Sequence, residues 1–82
     1  MSKVLYFTAP WCGPCKALGP IIEDLSGEIS FEKINIDNDT DRAAQYSVRS
    51  VPTLIKIDSN GKVEGRLVGL AMANEIKEWY HG

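Results

Sequence analysis

The sequence holds two cysteines, Cys12 and Cys15, with two residues between them in the stretch Thr8-Ala9-Pro10-Trp11-Cys12-Gly13-Pro14-Cys15-Lys16. Paired thiols at that spacing have three uses: a structural bridge, half of a metal site, or a redox centre. As a bridge the pair does little, because closing so short a loop restricts the unfolded chain by only roughly 2 kcal/mol, against ~3 for fifteen residues. A structural zinc ion asks for four ligands. Besides the cysteine pair the chain offers one histidine, His81, near its C-terminus, so a metal would have to bridge two copies. No metal is expected, and His81 reads as a solvated residue. Disulfide exchange between the two thiols is the remaining chemistry and the favoured one.

Exchange needs a thiolate, so the elements around the cysteines matter. Val4 to Thr8 is a β-branched and aromatic run stopped by Pro10, which predicts a strand buried on both faces. Leu18, Ile21, Ile22 and Leu25 then follow at helical spacing. Cys12 therefore falls where a strand ends and a helix begins, and free N–H groups there favour its thiolate. Lowering a thiol pKa from ~8.5 to ~7 raises the ionised fraction at pH 7 roughly sixteenfold. Lost nucleophilicity takes back about fivefold. The net gain in attack is small, but a low-pKa Cys12 is also the better leaving group when Cys15 attacks. On this reading Cys12 is exposed, and Cys15, one turn further on, is more shielded.

The remaining elements must hold that junction. Pro20 predicts a kink or early break in the first helix, and Gly27 its end. A second strand is expected over Ile29 to Ile36, a short helix from about Asp41 to Tyr46, and a third strand over Leu54 to Ile57. Asn60-Gly61 favours a tight hairpin into a fourth strand, Val63 to Val68. Met72, Ile76, Trp79 and Tyr80 make the apolar face of a closing helix, with Asn74 the nearest capping residue. The order β-α-β-α-β-β-α predicts an α/β fold: a four-stranded mixed sheet with helices on both faces and its parallel core strands apolar throughout.

Eighty-two residues, 44% of them hydrophobic, suit one domain over 1–82 with a modest core. Eleven acidic and nine basic residues are scattered and give a net charge of −2, which argues against a nucleic-acid surface. No stretch near the start has the length of a membrane span or signal-peptide core. A monomer in a reducing cytoplasm is the expectation, and there cysteine pairs are usually catalytic or metal-binding.

Trp11-Cys12-Gly13-Pro14-Cys15-Lys16 matches the active-site motif of the thioredoxin family residue for residue. Pro20, the strand Lys33-Ile34-Asn35-Ile36-Asp37 (which looks like the family's central strand), Val51-Pro52-Thr53, Asn60-Gly61 and Gly69 also sit at family positions. The resemblance implies a thioredoxin-like fold and a thiol–disulfide oxidoreductase with no bound cofactor beyond its own redox disulfide. It makes Cys12 the attacking nucleophile and Cys15 the resolving thiol, supported by Gly13, Pro14, Lys16, Tyr6 and Lys33. Trp11, Val51, Pro52 and Gly69 would dock protein disulfide substrates, with Pro52 in cis facing the cysteines. A flavin-dependent thioredoxin reductase using NADPH, or an equivalent donor, would return the electrons. Gly13-Pro14 is the dipeptide of the family's reducing members.

Three features depart from the family. The first strand and helix of most members are missing, which reads as a minimal version. Tyr6 stands where the family usually has a buried aspartate that takes the resolving thiol's proton; water, the Tyr6 hydroxyl or a neutralised Lys33 are the substitutes. Phe7-Thr8-Ala9-Pro10 and the short length resemble glutaredoxin, yet Ala9 replaces a lysine and Val68-Gly69-Leu70-Ala71 replaces a Gly-Gly-Asp pattern, so both glutathione anchors are missing. A glutaredoxin-like electron donor, or an interaction subunit of a larger assembly using the same docking surface, are the alternatives.

Overall fold

The computed structural model describes residues 2–82. Its elements follow the expected order: β1 (Lys3–Thr8), α1 (Gly13–Leu25), β2 (Phe31–Asn35), α2 (Thr40–Gln45), β3 (Thr53–Ile57), β4 (Val63–Val68) and α3 (Ala73–His81). The four strands form one sheet in the order β2-β1-β3-β4, with β1 parallel to β2 and antiparallel to β3, and β4 antiparallel to β3. This is the thioredoxin-like α/β arrangement.

The pleat of β1 sorts the core. Successive side chains on a strand point to opposite faces, and here all are apolar from Val4 to Phe7. Val4 and Tyr6 pack with Leu18, Ile22 and Leu25 of α1 and Ile76 of α3. Leu5 and Phe7 pack with Ile34, Ile55 and Ile57 under Tyr46 and Val48, which follow α2. The sheet is thus covered on both faces.

Several expectations are corrected. β2 is an edge strand among the described residues, so the segment Lys33–Asp37 is not central. It is not apolar throughout either: Lys33 is exposed and Glu32 half-buried. The strand is shorter than Ile29–Ile36, although Val4 N–H donates to Ser30 O and Ile36 N–H to Thr8 O, one bond beyond each end. Helix α1 runs unbroken through Pro20. The ring lies on the solvent side while Leu18, Ile22 and Leu25 are buried, so core packing outweighs the one backbone bond that proline removes. Gly27 does not close the helix in a left-handed turn. The helix ends instead at Ser26, in right-handed backbone at φ −65°, ψ −16°, its hydroxyl donating to Glu23 O at 2.7 Å.

The β3–β4 connection is a loop rather than a two-residue turn. Asp58 Oδ1 accepts the N–H groups of Asn60 and Lys62, each at 2.9 Å, and these bonds, Lys62 first, hold its carboxyl below the usual range. Gly61, at φ +84°, takes the left-handed position. At α3 the cap is not Asn74, which lies inside the helix. Met72 is the flanking residue, its N–H donating to Glu75 Oε1 at 3.3 Å. Met72 is exposed, so the buried stripe of α3 begins at Ile76 and is completed by Trp79 and Tyr80.

Candidate active site

β1, an inner strand, ends at Thr8, and Cys12 N–H then donates to Ala9 O at 3.2 Å to turn the chain into α1. Cys12 is the N-cap residue, with extended backbone at φ −84°, ψ 113°. A capping side chain accepts an N–H that the first helical turn leaves free. Here the acceptor is sulfur: Cys15 N–H points at Cys12 Sγ at 3.1 Å. Cys12 and Cys15 are joined in a disulfide with Cα atoms 5.3 Å apart.

Both cysteines are only 4% exposed, which corrects the expectation that Cys12 is open and Cys15 alone shielded. Ala9, Ile36 and Val51 close over the pair. What separates the two sulfurs is direction rather than burial. Cys12 Sγ lies 3.5 Å from Val51 O, a carbonyl that becomes an acceptor once the thiol is reduced. Cys15 borders a cavity of about 340 Å³ together with Tyr6, Lys16 and Lys33.

The docking residues come together only in part. The Val51–Pro52 peptide is cis, and Gly69 N–H donates to Pro52 O at 2.9 Å. Gly69 has φ +93°, a conformation that favours glycine. Pro52 itself is buried, whereas Val51 and Gly69 are half-buried. Trp11 stands 66% exposed at the rim. Gly13, Pro14 and Lys16 are exposed along the first turn of α1.

One residue of the site escaped the sequence reading. Trp11 Nε1–H donates to Asp37, at 3.1 Å to Oδ2 and 3.4 Å to Oδ1, which fixes the indole over the end of the sheet. The signal was in the topology. Parallel strands finish at the same edge, so the loop after β1 must meet the loop after β2, and Asp37 is two residues beyond β2. Tyr6, one of three candidate acceptors for the Cys15 proton, donates its hydroxyl to Cys15 O at 3.2 Å. Lys33 is the cross-strand partner of Tyr6 and is exposed. Among the described residues no group of three or more His, Cys, Asp or Glu side chains is placed to hold a metal ion.

The thioredoxin family model matches residues 1–81. The chain belongs to the thioredoxin family. Thioredoxin 2 of Chlorobaculum tepidum is 43% identical over 74 residues, covering 85% of this chain and 67% of its own length. The thioredoxin of Rickettsia conorii is 38% identical over 77 residues, covering 89% and 72%. Among solved structures, Fasciola hepatica thioredoxin superposes with a TM-score of 0.89 at 34% identity, over 98% of this chain and 78% of the other. With its bonded Cys12–Cys15 pair, this member of the thioredoxin family is a thiol–disulfide oxidoreductase whose redox group is its own disulfide. Thioredoxins as a family act on protein disulfides and draw electrons from thioredoxin reductases.

Proposed function

We propose that the chain works as a protein-disulfide reductase in which Cys12 attacks and Cys15 resolves. The observation that carries this assignment is the Cys15 N–H held 3.1 Å from Cys12 Sγ at the start of a thirteen-residue helix. A donor and a helix dipole aimed at one sulfur stabilise negative charge there. Cys12 thus carries the thiolate in the reduced chain, attacks one sulfur of a substrate disulfide, and expels the other as a thiolate. Cys15 then attacks Cys12 Sγ, which breaks the mixed disulfide and leaves Cys12–Cys15 oxidised. Two electrons have passed to the substrate, whose sulfurs take up two protons.

The docking surface is the collar of Trp11, Val51 and Gly69 around Cys12. An extended substrate segment would pair with the backbone beside Pro52, the way peptides add to exposed strands, while Trp11, held by Asp37, covers it. Gly13-Pro14 supports a reducing direction, and Lys16 sets a positive charge beside the pair. The chain would act as a monomer in a reducing cytoplasm, recycled by a thioredoxin reductase or an equivalent donor. The test is insulin-disulfide reduction: Cys12→Ser abolishes it, and Cys15→Ser accumulates a covalent complex with the substrate. Undiminished activity in Cys12→Ser, or a complex trapped through Cys15 instead, overturns the assignment.

A further inference from the structure

If Cys15 resolves the mixed disulfide, its thiol must lose a proton inside a nearly buried site. This inference rests on that role for Cys15. Tyr6 does not keep the proton: its O–H donates to Cys15 O at 3.2 Å, and the oxygen of a neutral phenol, though it can accept a hydrogen bond, is far too weak a base to hold a second proton. Behind Cys15 the groove between α1, β1 and β2 widens into a cavity of about 340 Å³, bordered by Tyr6, Cys15, Lys16, Gly19, Lys33 and Asn35. No carboxylate or imidazole among the described residues borders it. A lysine ammonium has three donors and no acceptor, and the Asn35 amide is too weak a base to keep a proton. Space for several waters and two cations is what remains.

The geometry points to solvent as the proton acceptor: water in this cavity takes the Cys15 proton to bulk, and Lys16 and Lys33 hold the charge left on sulfur. The S–H bond of Cys15 breaks and its proton passes to cavity water. The electron pair on sulfur forms the Cys12–Cys15 bond as the bond between Cys12 and the substrate breaks. The substrate leaves as a thiolate and is protonated by solvent. The groups facing Cys15 are Tyr6 from β1, Lys33 from β2, Lys16 from its own helix and its partner Cys12; from the β3 side only Val51 packs on the pair. An electrostatic device therefore replaces a protein base. Desolvating Cys15 or removing a cation would raise its pKa.

Gly19→Leu puts apolar bulk at the cavity's rim on α1. A Cβ built there meets no atom within 4 Å, and leucine is the better helix former by about 1 kcal/mol. Lys33 is exposed on an edge strand, so Lys33→Met also leaves the core intact. The reduced full-length chain is mixed with a peptide disulfide in single turnover, acid-quenched, and the mixed disulfide counted by mass spectrometry across pH 5.5–9. In both variants the pH profile of the resolving step moves up by about half a unit or more, slowing it about threefold at pH 7. Lys33→Arg restores the profile. The first attack, measured in a Cys15→Ser background, keeps its rate and pH dependence. A resolving profile unmoved in either variant, or an equal shift of the first attack, overturns the inference. Failure of the underlying role looks different: Cys15→Ser then traps no mixed disulfide at all.

Discussion

The two faces of the sheet are built on different principles. On one, α1 and α3 bury Leu18, Ile22, Leu25 and Ile76 against Val4, Tyr6 and Leu54, and half-buried Leu67, Trp79 and Tyr80 fill the margin. On the other, α2 buries none of its own residues. Leu5, Phe7, Ile34, Ile55 and Ile57 are covered there by half-buried side chains from loops, among them Ile36, Tyr46, Val48 and Val51. Polar links make up the difference. Lys3 and Arg42 both bridge to Glu32, Asp39 caps α2 through Arg42 N–H, and Arg66 reaches from β4 to Tyr46 O. Both faces rest on apolar area; the helical one adds the Lys77–Glu28 pair and Lys56 on Tyr80 O, while on the other ionic and capping contacts stand in for helix packing. The contrast bears on the redox site, because Ile36 and Val51 belong to the loop-covered layer and to the shell around the cysteines at once.

The largest expected effect is on the helical face. Leu18 is fully buried in the middle of α1, so Leu18→Ala removes its transfer energy and leaves a void that rigid neighbours cannot fill. A cost of about 3 kcal/mol follows from such truncations. That is a large share of the roughly 4–12 kcal/mol a domain of this size has in total. Urea unfolding should show the midpoint fall by a large fraction. A loss under about 1 kcal/mol would mean that this face is not the rigid one.

On the loop-covered face the matching experiment is Tyr46→Ala. The Tyr46 ring meets Phe7 at 5.9 Å between centroids but stays half-buried, and loops can close over part of the gap. The expected loss is about 1–2 kcal/mol. Equal losses from Tyr46→Ala and Leu18→Ala would break the comparison. Since Val51 shares this layer, Tyr46→Ala should also slow insulin reduction by a small factor, about twofold, which Leu18→Ala, measured well below its unfolding midpoint, should not.

Gly65 gives a smaller, local check on the helical face. On β4 it lies on the side facing α3, and a Cβ there comes within 3.1 Å of Trp79 Nε1. The indole is a half-buried marginal residue that can shift by the few tenths of an ångström needed, so Gly65→Ala costs about 1 kcal/mol or less. Trp79 fluorescence, recorded in a Trp11→Phe background, should change with it. An unaltered spectrum would show that the indole does not rest on β4.

The legible parts of this fold were those that local chemistry fixes. Val4–Phe7 declares a buried strand, the Leu18-Ile22-Leu25 spacing a helix face, and Cys12-Gly13-Pro14-Cys15 the reacting pair at their junction. Position in the sheet was not legible in the same way. Whether Lys33–Asp37 is central or edge depends on which strands flank it, and that also decides that Lys33 is exposed. Burial of Cys12 likewise comes from Val51 and Ile36, distant in sequence. Tyr6 was visible as a departure, but the direction of its hydrogen bond needed the position of Cys15 O. Trp11–Asp37 was hidden for the same reason, since it joins two loops that meet only because β1 and β2 run parallel.

The smallest effect separates the faces by pH. Hydrogen bonds from Arg42, then Lys3, lower the Glu32 carboxyl from 4.5 to about 2. The folded value lies below the unfolded one, so the native state favours the ionised form. Its contribution is complete above pH ~4.5 and is lost as pH falls from there toward 2. Because the Glu32 side chain is 38% exposed, solvent screening reduces that contribution to about 1 kcal/mol or less. Urea midpoints measured from pH 5.5 to 2.5 should therefore fall more steeply for the native chain than for Glu32→Gln. Added salt should narrow the gap, since exposed ion pairs are screened. A Glu32→Gln curve parallel to the native one would assign the loop-covered face to apolar packing alone, and the two sides of the sheet would then differ in area but not in kind.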